Sequence, residues 1–213
     1  MIIPIPLSLW KCFTLPHFLF MPRVKLFDEN EVLIKAMNLF WKQGYAATSI
    51  NDLVSHLGIN RASLYSTFGD KDKLFKKALQ YYRKTGIAGV KQFFENYENV
   101  KEGFSKLFEI AIDEAICDAD KKGCFVVNTT TELVPGDPTI LKALEENKKE
   151  LETIFFNALQ KGKDKGQLKS KQDLKIVASL LYTLYSGVRV VSKINPDKKE
   201  LTNSMNLALS LLN

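Results

Sequence analysis

Two short apolar-faced segments joined by a glycine turn, between Thr48 and Phe75, constrain this chain more than any other feature. Ser49 and Asp52 have the spacing of a capping box at the start of the first segment. Gly58 lies where a helix end commonly takes up left-handed backbone, and Asn60 then lies where an N-cap would start a second helix. This order predicts a helix-turn-helix, whose second helix enters the major groove of DNA.

The exposed positions of the second predicted helix are small apart from one arginine. Small side chains let the helix approach the base pairs closely, and an arginine can donate two hydrogen bonds to a guanine. With the cap residue included, the candidate DNA-reading residues are Asn60, Arg61, Ala62, Ser63, Ser66 and Thr67. A helical hairpin of any all-α protein is the alternative interpretation of the same pattern.

The stretch Gly58–Phe75, with its lead-in Ala36–Ile50, resembles the signature of the TetR/AcrR family of bacterial transcription regulators. The resemblance covers about Val32 to Phe75, and beyond it the chain is similar to the family only in length and helical layout. It implies an all-α fold with an N-terminal three-helix DNA-binding domain, which contains the helix-turn-helix. It further implies a C-terminal helical domain for ligand binding and dimerisation.

The resemblance also implies contacts to DNA phosphates from residues at two helix starts and on the reading helix. These residues are Thr48, Ser49, Tyr65 and Lys71. Helix starts offer free amides to phosphate, and tyrosine and lysine add a hydroxyl and a positive charge.

The net charge of +6 is concentrated in the same region, because Lys and Arg outnumber Asp and Glu by 11 to 6 between Met21 and Gly86. From Ile87 to Asn213 the two counts are equal, at 18 each. A basic helix-turn-helix region is what a phosphate-binding surface requires.

The first 20 residues are apolar but interrupted by Pro4, Pro6 and Pro16. They lack the roughly 20 unbroken apolar residues of a membrane span and the charged start of a signal peptide. We expect them to be an upstream extension or a mis-called start and to be poorly ordered, with a hydrophobic arm packed on the body as the alternative. The expected organisation is therefore this segment (1–20), a DNA-binding domain (21–70) and a helical effector-binding and dimerisation domain (71–213).

Apolar periodicity predicts several further helices in the C-terminal part. They cover about 71–84, 90–97, 100–120, 124–133, 138–161, 173–193 and 201–212. Gly86 and Gly89 are expected to interrupt the chain after the first of these, and Lys161–Lys171 is expected to be a linker. Helices 138–161 and 173–193 are apolar on wide faces, so each must be buried from more than one side. The resemblance implies that they form a four-helix bundle with a second copy in a homodimer; internal core of a monomer is the alternative.

Aromatic and polar residues of this body are candidates for a pocket that binds an unknown small-molecule effector. The candidate pocket residues are Phe93, Phe104, Phe108, Cys124, Asn128 and Phe155. Ordinary core is the alternative role for each aromatic. Cys117 and Cys124 are candidate thiol sensors, because Lys121 and Lys122 lie close to Cys124. The three cysteines lack metal-ligand spacing and suit a reducing compartment, so we expect no metal, no cofactor and a cytoplasmic location.

The function predicted from these features is a ligand-responsive repressor that a small molecule releases from a pseudo-palindromic double-stranded DNA operator. The ligand is expected to act by moving the helix at 71–84. An enzyme is disfavoured, because neither His17 nor His56 follows a glutamate at the spacing of helical di-iron sites and no phosphate loop or nucleophile elbow is present. A helical adaptor that keeps the fold without reading DNA is the alternative. No membrane association is expected.

Overall fold

A computed structural model describes residues 27–169, 171–194 and 197–212, and within these ranges it contains nine α-helices and no strand. The helices are α1 (Glu29–Gln43), α2 (Ile50–Leu57), α3 (Arg61–Phe68), α4 (Lys71–Glu95), α5 (Val100–Cys117), α6 (Phe125–Leu133), α7 (Pro138–Asp164), α8 (Leu174–Val191) and α9 (Lys198–Leu209), with a 3-10 turn at Ser210–Leu212. The prediction of an all-α fold is confirmed. The expectation about residues 1–20 lies outside the described residues.

The predicted helix-turn-helix is formed by α2 and α3, and its caps have the expected partners. The Ser49 hydroxyl accepts a hydrogen bond from the Asp52 amide at 3.1 Å, and the Asp52 carboxylate accepts from the Ser49 amide at 2.8 Å. Gly58 has left-handed backbone, with φ of 67°, and Asn60 caps α3 by accepting from the Ser63 amide at 2.8 Å. Local sequence chemistry therefore fixes the start and end of the reading pair.

One hydrophobic core joins the first four helices to α6. The Phe40 and Phe75 rings meet edge to face with centroids 5.1 Å apart, and Phe75 meets Phe125 of α6 in the same way at 5.5 Å. The three threonines of α6 donate their hydroxyls to carbonyls of the same helix, as Thr129 does to the Phe125 carbonyl at 2.8 Å. The prediction of a buried helix at 124–133 is confirmed, and this helix packs on the N-terminal helices.

The prediction that a helix ends before Gly86 and Gly89 is wrong, because α4 is one continuous helix of 25 residues that contains both glycines. Each glycine inside a helix costs about 0.5–1 kcal/mol relative to alanine. The two ends of α4 are anchored in different cores: Leu74 and Phe75 are buried in the first core and Phe94 in a second. Burial at both ends outweighs the two glycines.

The second core lies between the end of α4 and helices α5, α7, α8 and α9. Phe104 is central to it, with its ring 4.7 Å from Phe94 and 5.3 Å from Phe155. The predicted linker at Lys161–Lys171 begins too early, because α7 continues to Asp164 and includes a buried Gly162. A Cβ at Gly162 would overlap the side chain of Val100, so this glycine permits the close approach of α7 and α5.

Helix α8 is long and apolar enough to meet the length and hydropathy of a membrane-crossing helix. One face of α8 is part of the second core, where Val177 and Leu181 are buried against neighbouring helices. Its other face is exposed, with Ile176 at 69%, Leu180 at 37% and Val191 at 49% exposure. A helix that is core on one face and apolar on the other needs a further apolar surface to cover it.

Candidate nucleic-acid interface and internal cavity

The first turns of α3 form a convex, open surface. Arg61, Ala62 and Ser66 are exposed, and Tyr65 projects from the same helix with 45% of its surface accessible. The remaining candidate reading residues have different environments: Asn60 is exposed and caps the helix, while Ser63 and Thr67 are half-buried. Leu64 and Phe68 hold the opposite side of α3 in the core. The sequence pattern therefore separates one buried face from one face that is free to meet a large partner.

The guanidinium of Arg61 is held in place by a residue of α2. Its Nη2 donates to the Asn51 side-chain oxygen at 2.8 Å, and both residues are exposed. An arginine held at its tip loses less rotamer entropy when it binds a base edge. The sequence does not mark Asn51 as part of this site, because an exposed asparagine in a short helix has no distinguishing pattern.

Thr48 does not have the surface position that a phosphate contact requires, which corrects the prediction for it. The residue is completely buried, and its hydroxyl donates to the Gly44 carbonyl at 2.6 Å. Its amide donates to the Tyr45 carbonyl at 3.3 Å, so Thr48 closes the turn between α1 and α2. Ser49 is exposed at the α2 start, where its hydroxyl oxygen accepts a hydrogen bond from the Asp52 amide at 3.1 Å.

Lys71 lies half-buried at the start of α4, with its Nζ 4.2 Å from the centroid of the Tyr45 ring. Burial, with the neighbouring carboxylates of Asp72 and Asp70, raises the pKa of Tyr45. The ring therefore stays neutral and presents its face to the lysine. This contact places the ammonium group beside the turn that leads into α2.

Four polar contacts connect α6 and the loop before it to α1 and the turn after it. The Glu132 carboxylate accepts from the Tyr45 amide at 3.0 Å and from the Ala46 amide at 2.7 Å. Trp41 donates its indole N–H to the Gly123 carbonyl at 3.1 Å. Lys42 pairs with Asp120 at 2.8 Å. These contacts join the turn before the helix-turn-helix to the C-terminal body.

Directly behind these contacts lies a cavity of about 900 Å³. Helices α4, α5, α6, α7 and α8 form its walls, and Trp41 of α1 closes one side. Because Trp41 belongs to the N-terminal core, the cavity touches both parts of the molecule. Its volume lies in the range of sites for small organic ligands.

Four of the six predicted pocket residues lie outside the cavity wall. Phe93 and Cys124 line the cavity. Phe104, Phe108 and Phe155 are at most 1% exposed and belong to the second core, outside the cavity wall. Aromatic residues at helical spacing were the only signal in the sequence, and that signal does not distinguish a cavity wall from a packed core.

Asn128 also lies outside the wall. Its side-chain amide donates to the Lys122 carbonyl at 2.8 Å, and its oxygen accepts from Lys193 at 3.2 Å, so it braces the loop before α6.

Cys124 accepts a long hydrogen bond from the Tyr82 hydroxyl, with oxygen and sulfur 3.8 Å apart. Burial raises the pKa of Tyr82, so its hydroxyl remains a neutral donor. Cys117 is exposed at the cavity edge.

The sequence did not identify the arginines of the wall, Arg83 and Arg189. Arg189 had a signal, since it interrupts a run of valines in an otherwise apolar helix; Arg83, in a polar stretch, had none. In the parts of the chain that the structure describes, no group of three or more His, Cys, Asp or Glu side chains is arranged to hold a metal ion.

Two protein-family models match the chain. The model described as "Bacterial regulatory proteins, tetR family" matches residues 32–78, and the model described as "Tetracyclin repressor-like, C-terminal domain" matches residues 104–207. An uncharacterized HTH-type transcriptional regulator of Bacillus subtilis (strain 168), YezE, is 34% identical over 194 residues, which cover 90% of this chain and 100% of that protein. The HTH-type transcriptional repressor ComR of Escherichia coli (strain K12) is 28% identical over 191 residues, which cover 89% of this chain and 90% of that protein.

A solved structure has the same fold over most of the chain. It is a cysteine mutant of the TetR family transcriptional regulator CifR, complexed with 26-bp double-strand operator DNA. The TM-score is 0.79 with 25% sequence identity, and the match covers 90% of this chain and 100% of that chain.

Proposed function

The chain belongs to the TetR family of bacterial regulatory proteins and is a transcriptional regulator of that family, and we propose that it is a ligand-responsive repressor acting in the cytoplasm. It binds a pseudo-palindromic operator as a homodimer and leaves it when a small molecule enters the internal cavity. The observation that carries the proposal is the exposed N-terminal half of α3, which presents Arg61 beside small side chains on a helix that has no acidic residue. The function needs no catalytic group and no cofactor.

In this proposal α3 lies in the major groove and Arg61 reads a guanine. The small neighbours of Arg61 let the helix approach the bases. The residues assigned to this face are Asn60, Ala62, Ser63, Ser66 and Thr67. Ser49, Tyr65 and Lys71 bind phosphates on either side of the groove, which sets the register of α3 but carries no sequence information. Thr48 has no direct part, because its hydroxyl is already bonded inside the turn.

The homodimer is proposed to form through α7 and α8. Helix α8 has an exposed apolar stripe formed by Ile176, Leu180 and Val191, which are separated by roughly whole helical turns and so share one face. A second copy of the same stripe is the partner that fits it best, because a two-fold interface is self-complementary. The same symmetry presents two copies of α3 to two half-sites about one helical turn apart. The dimer and the palindromic operator are therefore two consequences of one axis.

Release is proposed to be a population shift between a DNA-binding and a non-binding arrangement. The cavity touches Trp41 and the loop before α6, and this loop leads into α6, whose Glu132 holds the turn before α2. Helix α4 is a second connection, because it runs without a break from the cavity wall into the N-terminal core and can transmit movement between them. A ligand with higher affinity for the non-binding arrangement lowers operator affinity by the ratio of its two affinities.

The test is selection from a random double-stranded DNA library, followed by sedimentation of the complex with the selected DNA. We expect an inverted-repeat motif and two chains per site. Recovery of no motif would contradict the repressor and would favour a helical adaptor that retains the fold. A motif bound by one chain would retain DNA reading and contradict the dimer.

A further inference from the structure

The wall of the internal cavity combines apolar side chains with two largely buried cations. Arg83 of α4 and Arg189 of α8 both line it, and their side chains are only 11% and 15% exposed. Phe93, Leu107 and Leu151 are among the apolar residues of the same wall. A guanidinium removed from water destabilises the fold unless oxygen acceptors bond to it.

Arg83 has donor capacity that the described residues leave unused. Its Nε is buried and has no hydrogen-bond partner there, and its Nη2 lies 3.8 Å from the Glu146 carboxylate, whose side chain is 56% exposed. A separation of 3.8 Å is too long for a hydrogen bond. The planar fork of a guanidinium matches a carboxylate or a phosphate group with two parallel hydrogen bonds.

Arg189 is held in one orientation by Tyr185. Its Nη2 donates to the Tyr185 hydroxyl at 2.9 Å, its Nη1 donates to the Tyr185 carbonyl at 3.3 Å, and its guanidinium carbon lies 3.9 Å from the centroid of the ring. Its Nη2 also donates to the Glu114 carboxylate at 3.5 Å, and the Glu114 side chain is 64% exposed. A guanidinium fixed before a ligand arrives loses little entropy on binding.

Among the three carboxylates of the wall, only Glu114 is paired with one of these arginines: it lies 3.5 Å from Arg189, and its side chain is 64% exposed. Asp118 accepts a hydrogen bond from the Gly123 amide at 2.9 Å, and Asp120 is paired with Lys42 at 2.8 Å. Glu114 extends into solvent. With these carboxylates exposed or bonded elsewhere, the two guanidinium groups are the charges that a ligand in the interior would meet, and a cationic ligand would be repelled where the local dielectric is low.

We propose that the effector of this protein is an amphipathic organic anion. Its carboxylate or phosphate group binds Arg83 and Arg189, and its apolar body packs against residues such as Phe93 and Leu107. The inference rests on the proposed function, since it names the class of ligand that enters the same cavity. A neutral ligand could offer the Arg83 Nε an oxygen acceptor but no compensating charge, and hydrogen bonds between two charged groups are stronger, which makes an anion the better complement.

The test measures direct binding of matched probes to the full chain by tryptophan fluorescence. Trp41 lies in the cavity wall, and Trp10→Phe removes the second tryptophan of the chain. The probes share one apolar body and differ in the head group: 4-phenylbutyrate, 4-phenylbutyl phosphate, 4-phenylbutanol and 4-phenylbutylamine. We expect one or both anions to bind about tenfold or more tightly than the alcohol, and the amine most weakly. The two anions together distinguish a carboxylate effector from a phosphate ester.

Two substitutions separate the role of charge from the role of the fold. Arg83→Met and Arg189→Met keep an apolar stem, and each should remove most of the preference for anions over the alcohol. Lys84→Met is the matched control, because Lys84 follows Arg83 on α4 but is exposed and outside the wall. Arg83→Lys retains the charge without the fork and should recover part of the preference. Thermal unfolding of each variant confirms that it is folded.

Equal affinity for the alcohol and the anions would overturn the proposal. Unchanged anion affinity in both folded methionine variants would also overturn it, as would no saturable anion binding up to about 5 mM. The measurement contains no DNA, so its failure would leave the operator-binding test unaffected. Conversely, tight anion binding by a protein that selects no DNA motif would support the cavity assignment and contradict the repressor.

Discussion

Replacing Arg61 by alanine should weaken operator binding mainly through one base pair in each half-site. Arg61 is exposed on α3, and Asn51 holds its guanidinium at 2.8 Å, in a position to form a paired contact with guanine. Such a contact is worth about 1–3 kcal/mol. Because a two-fold dimer makes it twice, the expected loss is about 2–6 kcal/mol per dimer, or at least about 30-fold in affinity.

Two related variants refine this expectation. Arg61→Lys keeps the charge but loses the fork, so it should retain nonspecific binding and lose most of the preference for guanine. Asn51→Ala leaves the arginine in place but frees its rotamers, which should cost about 1 kcal/mol per dimer. Both residues are exposed, so the free energy of unfolding should change by less than about 0.5 kcal/mol.

The assay is fluorescence anisotropy with the selected operator and with a set of operators in which each base pair is changed in turn. Lys91→Ala is the control for loss of one positive charge, because Lys91 is exposed near the far end of α4. For Arg61→Ala, the penalty for changing one base pair should disappear while the other penalties persist. The reasoning is refuted if affinity falls equally for all operators and the salt slope drops by about 2 per dimer, which is the behaviour of a phosphate contact.

Four further predictions follow from the fold. Thr48→Val should destabilise the protein by about 1–2 kcal/mol in denaturant unfolding, because the Thr48 hydroxyl donates to the Gly44 carbonyl. The same change should leave the salt dependence of DNA binding unaltered, because this hydroxyl does not bind phosphate. A smaller salt slope in a folded variant would restore the phosphate role. Gly162→Ala should lower the midpoint of thermal unfolding, through an overlap with Val100 that costs about 1–3 kcal/mol, whereas Gly86→Ala, which has open space around its Cβ, should raise it slightly; equal shifts would contradict the packing. Ile176→Glu should yield folded monomers in sedimentation while Leu207→Glu, exposed on α9, leaves dimers, and dimers in both would exclude α8 as the interface. Glu132→Gln should cost about 1 kcal/mol and weaken the effect of an anionic probe on operator affinity, and an unchanged effect would argue against transmission through α6.

Short-range chemistry explains why the helix-turn-helix could be predicted from the sequence. Ser49, Gly58 and Asn60 act on amides within about three residues of themselves, so spacing alone determines their role. The same reasoning fails for Thr48. Its distance from the surface depends on how the turn folds back on Gly44, and that is a property of the packed domain.

Glycine was the least reliable signal, because its effect depends on the surroundings. Gly58 ends a helix, as its position suggests, whereas Gly86 and Gly162 lie inside long helices. In α4 the helix is held by burial at both ends, and in α7 the missing Cβ makes room for Val100. A single sequence does not distinguish a glycine that ends a helix from a glycine that admits a neighbour.

The cavity was hard to predict because its wall is assembled from distant parts of the chain. Its two arginines are more than one hundred residues apart, and Trp41 reaches it from the first helix. Only Arg189, a charge in an apolar helix, had a recognisable pattern, since such charges are rarely buried without a role. Most of the phenylalanines predicted to line the pocket lie instead in the second core, because residues of a packed core show the same apolar periodicity.

The central claim is that this chain recognises specific DNA through α3, and the most direct test compares the affinity of the wild-type protein for the DNA upstream of its own gene with its affinity for a scrambled duplex. The comparison is made by anisotropy across a series of salt concentrations. We predict a ratio of about a thousandfold or more near physiological salt, with both affinities falling as salt rises. Equal affinities for the two duplexes, together with no motif from the random library, would contradict the claim and leave the helix-turn-helix as a structural element only.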